Sequence, residues 1–303
     1  MTGTIEHLVN DDMFIDSIVG RRGVRPFAAS RKIHTFAEDG VPCAHVGDMP
    51  PEFVVINGGQ GFMRRQTPRR LHRDLRRIAR VLPANASFAL LGYPEAERNA
   101  ALPALADRLT KLIGRRYGPT TLVGISFGGI VATRIASYNP AIVKRLVLIS
   151  SAHELSEPGK DLIREQLSNV LAGNYVGLMK SFTTIFRRPW RNALLIIALS
   201  LSRRRLAHGM GNPQTIVRYL NALLELPLER ADWLSCVQAK TLVIGGEDDQ
   251  FFGVGAMARS AGRIPDATLH LIKGERHMVM VERASTVAGV VAKWLRRSPI
   301  PEG

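Results

Sequence analysis

From Phe53 to Ser151 the chain alternates short, unbroken runs of Val, Ile, Leu and Phe with longer stretches of helical periodicity. The apolar runs are FVVI at 53–56, SFALLG at 87–92, TTLVGI at 120–125 and VKRLVLIS at 143–150. Between them lie TPRRLHRDLRRIAR at 67–80, AALPALADRLTKLIG at 100–114 and GGIVATRIASYN at 128–139. Runs without polar alternation belong to strands buried on both faces, the condition of a parallel sheet covered by helices. Strand–helix–strand order then requires right-handed crossovers and a layered α/β domain.

The pattern changes after Ser151. From about His153 to Ser235 only helical periodicity and breakers remain, in segments at 156–174, 175–188, 189–207 and 212–227. The last of these opens on Asn212–Pro213, a strong helix start. KTLVIGGEDD at 240–249 restores the strand–loop order, followed by a helix at 254–262, a strand in ATLHLIKG at 267–274 and a closing helix at 285–297. The expected organisation is one α/β core in two parts, 1–152 and 236–303, interrupted by a helical insertion over 153–235. The first fifty residues carry weaker signals, with antiparallel strands expected near RKIHTFA and VPCAHVG.

Composition bounds the function. The chain has 303 residues, 46% hydrophobic and 22% charged, the proportions of an ordinary globular protein. Its longest apolar run, ALLIIALSL at 193–201, is far short of the roughly 20 residues of a spanning helix. The N-terminus has early acids and no basic leader, so no signal peptide is expected. Cys43 and Cys236 lie far apart and form no metal pattern, so a reducing, cytoplasmic setting without disulfides is expected, and no metal or organic cofactor.

The net charge is +15, and much of it sits on the 67–80 segment. Leu71, Leu75, Ile78 and Leu82 share one helical face, and six arginines occupy the rest. No nucleic-acid motif accompanies this charge, so it reads as the solvated outer face of a packed helix. Arginines also flank the 193–201 run, which reads as a pocket roof in preference to a helix docked on anionic lipid.

Ser126 stands between Gly124 and Gly128, after the 120–125 strand and before a helix. A serine held out on so tight a strand–turn–helix junction needs small neighbours, because side chains two residues away would strike the helix and strand. A hydroxyl nucleophile needs a base, and the base needs an orienting acid. Acids follow the strand at 240–246, and His277 follows the strand at 267–272. All three therefore fall at strand C-terminal ends, the edge where open α/β sheets bind ligands.

On these motifs the chain resembles the α/β-hydrolase superfamily from about Phe53 to Leu295, with a mostly parallel central sheet flanked by helices and a helical lid insertion. The resemblance implies Ser126 as nucleophile and His277 as base. In the family's G-x-x-D turn, here Gly246-Glu247-Asp248-Asp249, it implies Asp249 as the acid, with the neighbouring Asp248 as the alternative. It implies oxyanion donors at the N–H groups of Phe127 and of Gly59, with Gln60 as the alternative to Gly59, in Asn57-Gly58-Gly59-Gln60-Gly61, where the family often has His in place of Asn57. Two further departures are Arg276, where the family has glycine before the histidine, and GYPEAE at 92–97 in place of an Asp-x-x-Gly-x-Gly turn. The implied activity is hydrolysis of a carboxylic ester or thioester of an apolar acyl or aromatic substrate. The same fold also supports carbon–carbon bond hydrolysis of a dienone or β-diketone, and non-catalytic small-molecule receptors. His153 reads as a structural or surface residue in preference to a pocket-lining one, and Glu282 as a capping or pairing residue without a catalytic role.

Overall fold

The computed structural model describes residues 32–95, 102–182, 186–187, 192–193, 196–197, 203–226 and 231–298. Eight strands form one sheet: β1 (Ile33–Glu38), β2 (Val41–Val46), β3 (Phe53–Ile56), β4 (Phe88–Leu91), β5 (Thr120–Ile125), β6 (Val143–Ile149), β7 (Lys240–Gly246) and β8 (Ala267–Ile272). Their spatial order is β1-β2-β4-β3-β5-β6-β7-β8. Only β2 pairs antiparallel with its neighbours, and all other pairings are parallel. The strands expected in RKIHTFA and VPCAHVG are β1 and β2, joined at Asp39–Gly40, both at positive φ.

The unbroken apolar runs have a direct cause. Alternate residues of the inner strands enter two separate cores. Val55, Leu90, Val123, Val147 and Leu242 face one side, where α2 (Pro68–Ile78) and α11 (Ala284–Arg297) pack through Leu71, Leu75, Val287 and Val291. Val54, Leu91, Leu122, Leu146 and Val243 face the other, covered by α3 (Leu102–Arg116), α4 (Phe127–Tyr138) and α9 (Gly253–Arg263). The edge strands β1 and β8 are only half-buried. Each fully buried Leu or Val contributes about 1.5–3 kcal/mol, so the inner strands dominate the stability of the sheet.

α1 (Gln60–Met63) is a single turn after β3, and α2 begins as expected. The Thr67 hydroxyl caps α2 by accepting the Arg70 N–H at 3.3 Å, and Pro68 opens the first turn.

Between β6 and β7 runs the helical insertion. It comprises α5 (Glu157–Leu171), α6 (Tyr175–Ser181), α7 (Arg203–His208) and α8 (Pro213–Leu224), then a short 3-10 turn at Ala231–Cys236. α8 starts at Asn212, whose side chain accepts the N–H groups of Gln214 and Thr215. α6 ends at Ser181, and 183–185 and 188 of the segment with helical periodicity lie outside the described residues. Most of the 193–201 run, and the N-terminal and C-terminal tails, lie outside the described residues. α10 (Val279–Glu282) follows the loop after β8. No described helix is long and apolar enough to cross a membrane.

Candidate active site

Ser126 sits one residue beyond β5 with φ 51 and ψ −121. A non-glycine residue held there costs about 1–3 kcal/mol and persists only where its surroundings over-determine it. They do. The Ser126 N–H donates to the Ile149 carbonyl at 2.9 Å, and the Gly129 N–H donates back to the Ser126 carbonyl at 2.8 Å. α4 packs so closely that a Cβ on Gly124 would lie 2.7 Å from the Gly128 oxygen and 2.8 Å from Ala132. A Cβ on Gly128 would strike the carbonyls of Ile56 and Asn57, and one on Gly129 would strike Ser151. The glycines around Ser126 are therefore contact points between α4, β5 and the end of β3.

Two loops converge on this turn. The turn after β7 carries Asp249, buried, while Asp248 is exposed. The loop after β8 carries His277. The Asp248 N–H donates to the Glu275 carbonyl at 2.9 Å, and a Cβ on Gly246 would be 2.7 Å from the Arg276 oxygen, so the two loops lie against one another. The Ser150 hydroxyl donates to the His277 carbonyl at 2.9 Å, which ties the loop to the end of β6.

In this frame His277 Nδ1 lies 2.8 Å from Asp249 Oδ2, and His277 Nε2 lies 3.0 Å from Ser126 Oγ. A carboxylate only accepts, so Nδ1 carries the proton and Nε2 is the acceptor for the serine hydroxyl. The other Asp249 oxygen accepts the N–H groups of Phe251 at 2.9 Å and Phe252 at 3.1 Å, which fixes the carboxylate. The rings of Phe251 and Phe252 stand 4.7 and 5.9 Å from the imidazole and screen the pair from water. A hydroxyl so linked can lose its proton as it attacks an electrophilic carbon.

The loop after β3 faces the same space. Gly58, Gly59 and Gln60 line the pocket with Ser126 and Phe127. Among the described residues the N–H groups of Gly59 and Phe127 donate to no protein acceptor. Asn57 organises this loop. Its side-chain oxygen accepts the Gly58 N–H at 2.9 Å, its amide donates to Asp74 at 3.3 Å, and its carbonyl accepts the Tyr93 hydroxyl. Asp74 is buried on α2 and draws Arg70 and Arg77 towards it, at 3.9 and 3.6 Å. Part of the basic face expected to be solvated is thus turned inwards. Asp74, Tyr93 and Ser150 have no sequence motif, because what marks each is a partner distant along the chain.

The pocket is apolar apart from these groups and encloses about 110 Å³. Its floor comes from the strand ends, and its roof from the insertion, through Leu155, Ile163, Gln166, Phe182 and Leu223. The described positions of the 193–201 run are not among the lining residues, and Ile197 is exposed. Arg276 is half-buried and also stands outside the lining. Glu282 accepts the Arg187 N–H at 2.8 Å, a pairing contact to the insertion. His153 is buried away from the pocket: Nδ1 is 2.7 Å from the Ser260 hydroxyl and Nε2 is 3.0 Å from Arg263. Burial pushes its pKa down to about 4, with Arg263 and Arg259 acting in the same direction.

Known proteins share this frame. A poly(3-hydroxyalkanoate) depolymerase of Ectopseudomonas oleovorans is 29% identical over 228 residues, 74% of this chain and 76% of that protein. An (E)-2-((N-methylformamido)methylene)succinate hydrolase of Acinetobacter baylyi is 22% identical over 182 residues, 60% of this chain and 67% of that protein. The crystal structure of MGS-M2, an alpha/beta hydrolase enzyme from a Medee basin deep-sea metagenome library, superimposes with a TM-score of 0.70 at 16% identity, over 88% of this chain and 98% of that one. The model of the alpha/beta hydrolase family matches residues 53–290, from the first inner strand to the last helix. With that match over most of its length, the chain belongs to the alpha/beta hydrolase family.

Proposed function

We propose that the protein is a serine hydrolase that cleaves a carboxylic ester or thioester with a short apolar acyl or aromatic group. Ser126 Oγ attacks the carbonyl carbon while His277 Nε2 takes the hydroxyl proton. Asp249 holds the imidazole tautomer and stabilises its charged form. The N–H groups of Gly59 and Phe127 bind the oxyanion, and the apolar pocket strengthens that interaction by excluding water. The tetrahedral intermediate collapses to an acyl-enzyme as His277 protonates the leaving group, and water, activated by the same histidine, releases the acid. The insertion serves as the lid. The observation that carries this reading is the 3.0 Å contact between Ser126 Oγ and His277 Nε2, backed by the 2.8 Å contact to Asp249. A relative named as a depolymerase of poly(3-hydroxyalkanoate), a polyester, supports ester cleavage. The size of the pocket supports a short chain: about 110 Å³ is somewhat less than the ~150 Å³ that accepts benzene.

Labelling with a fluorophosphonate and turnover of p-nitrophenyl esters of rising acyl length test the proposal. Wild type is expected to label and to show a rate maximum at a short chain. Ser126→Ala and His277→Ala are expected to do neither, with kcat down by 10³-fold or more, on the order of triad losses elsewhere. A Ser126→Ala variant that retained its rate would overturn the assignment. Labelling without ester turnover, together with cleavage of a ring-fission dienone, would move the substrate to a carbon–carbon bond.

A further inference from the structure

The pocket roof contains one group the proposed chemistry does not use. Gln166 lies on α5, is 0% exposed, and lines the pocket with Ser126 and His277. Neither its amide oxygen nor its amide nitrogen has a hydrogen-bond partner among the described residues. α5 is an amphipathic helix whose inward stripe runs through Gly159, Ile163, Gln166 and Val170. An apolar side chain at 166 would complete that stripe. A buried amide with both ends unmet is instead strongly unfavourable, and native proteins rarely leave one so.

We infer that Gln166 is a specificity-determining residue and that the substrate carries a hydroxyl group on the part held in this pocket: a hydroxylated ester in place of a plain alkyl ester. This rests on the serine-hydrolase reading. A hydroxyl is the smallest neutral group that can answer either atom of the amide, giving its hydrogen to Oε1 or its lone pair to Nε2. A carboxylate offers only acceptors, which leaves Oε1 unmet. The selection acts in both directions. A hydroxylated substrate satisfies the amide, whereas a plain alkyl chain of the same length strands it, and a site built for a hydroxyl rejects the analogue lacking one.

The test compares kcat/KM for methyl butanoate with methyl 2-hydroxybutanoate, methyl 3-hydroxybutanoate and 2-hydroxyethyl butanoate, on wild type, Gln166→Leu and the near-isosteric Gln166→Met. Fluorophosphonate labelling of each sample reports whether the nucleophile is competent, and thermal denaturation reports folding. The expected result is a preference of at least about tenfold in wild type for one or more hydroxylated esters. That preference should collapse in both variants, chiefly because the plain ester improves. Two results would overturn the inference: a labelled wild type with no such preference, or a labelled variant that keeps it. The second result would mean that the amide is met by a structural water. Absence of labelling in wild type would remove the hydrolase reading itself and this inference with it.

Discussion

The tightest constraints are carried by single atoms that cannot be added. A methyl group on Gly128 has to enter space held by the carbonyls of Ile56 and Asn57, which are backbone and cannot rotate away. Gly128→Ala is therefore expected to destabilise the fold by at least the ~1–3 kcal/mol of core overpacking. Because the displaced carbonyl belongs to the loop bearing Gly59, esterase activity should fall more steeply than the melting temperature. Measuring both on one sample checks this, and a fully active, stable alanine variant would refute it. This is also where the sequence was most legible. A glycine that must let backbones touch leaves a mark at a fixed spacing, so Ser126, Asp249 and His277 could be picked out from neighbours within a few residues. Gln166 left no such mark. In EQLS the polar side chain itself suggests surface although the period set by Ile163 and Val170 puts it on the inward stripe, and the packing of α5 against α8 shows that the period prevails.

Among the elements, the insertion and the histidine loop are linked by a buried carboxylate. Glu275 is 1% exposed and accepts from Arg187 in the insertion at 2.7 Å and from Arg283, at the start of α11, at 2.6 Å. Removing Arg187 leaves Glu275 with one of these two cations. Arg187→Ala is expected to cost about 1.5–3 kcal/mol, typical of losing a hydrogen bond to a charged group. The insertion should also be cleaved faster by a protease at concentrations that leave the core intact. Limited proteolysis followed by mass spectrometry reads this directly, and an unchanged cleavage rate would mean that the contact does not hold the roof down. The sequence disclosed these elements unevenly. Strands buried on two faces declared themselves by composition, and the capped helix α8 by Asn212–Pro213. The end of α6 at Ser181 has no mark in the sequence, because YVGLMKSF keeps a helical period through Phe182. The arginine-rich α2 hid Asp74, since periodicity does not reveal a carboxylate drawn under its neighbours.

For the molecule as a whole, one buried histidine gives the stability a pH dependence. His153 has a folded pKa lowered to about 4, against about 6.5 when exposed. Between those values the unfolded chain binds a proton that the folded chain excludes, so stability is fully present above about pH 6.5 and declines as pH falls towards 4. The whole loss is on the order of 3 kcal/mol. His153→Gln is expected to flatten denaturation midpoints across that window, and a slope equal to that of wild type would assign the acid sensitivity elsewhere. The strained backbone of Ser126 has a different consequence for the whole chain. Glycine adopts φ 51 freely, so Ser126→Gly should relieve strain that outweighs glycine's extra unfolded-state entropy, leaving an inactive protein more stable by roughly 1 kcal/mol. On the proposed role of Ser126, drift runs downhill towards silence at this position: a lineage that no longer needed the reaction would gain robustness from the very substitution that ends it.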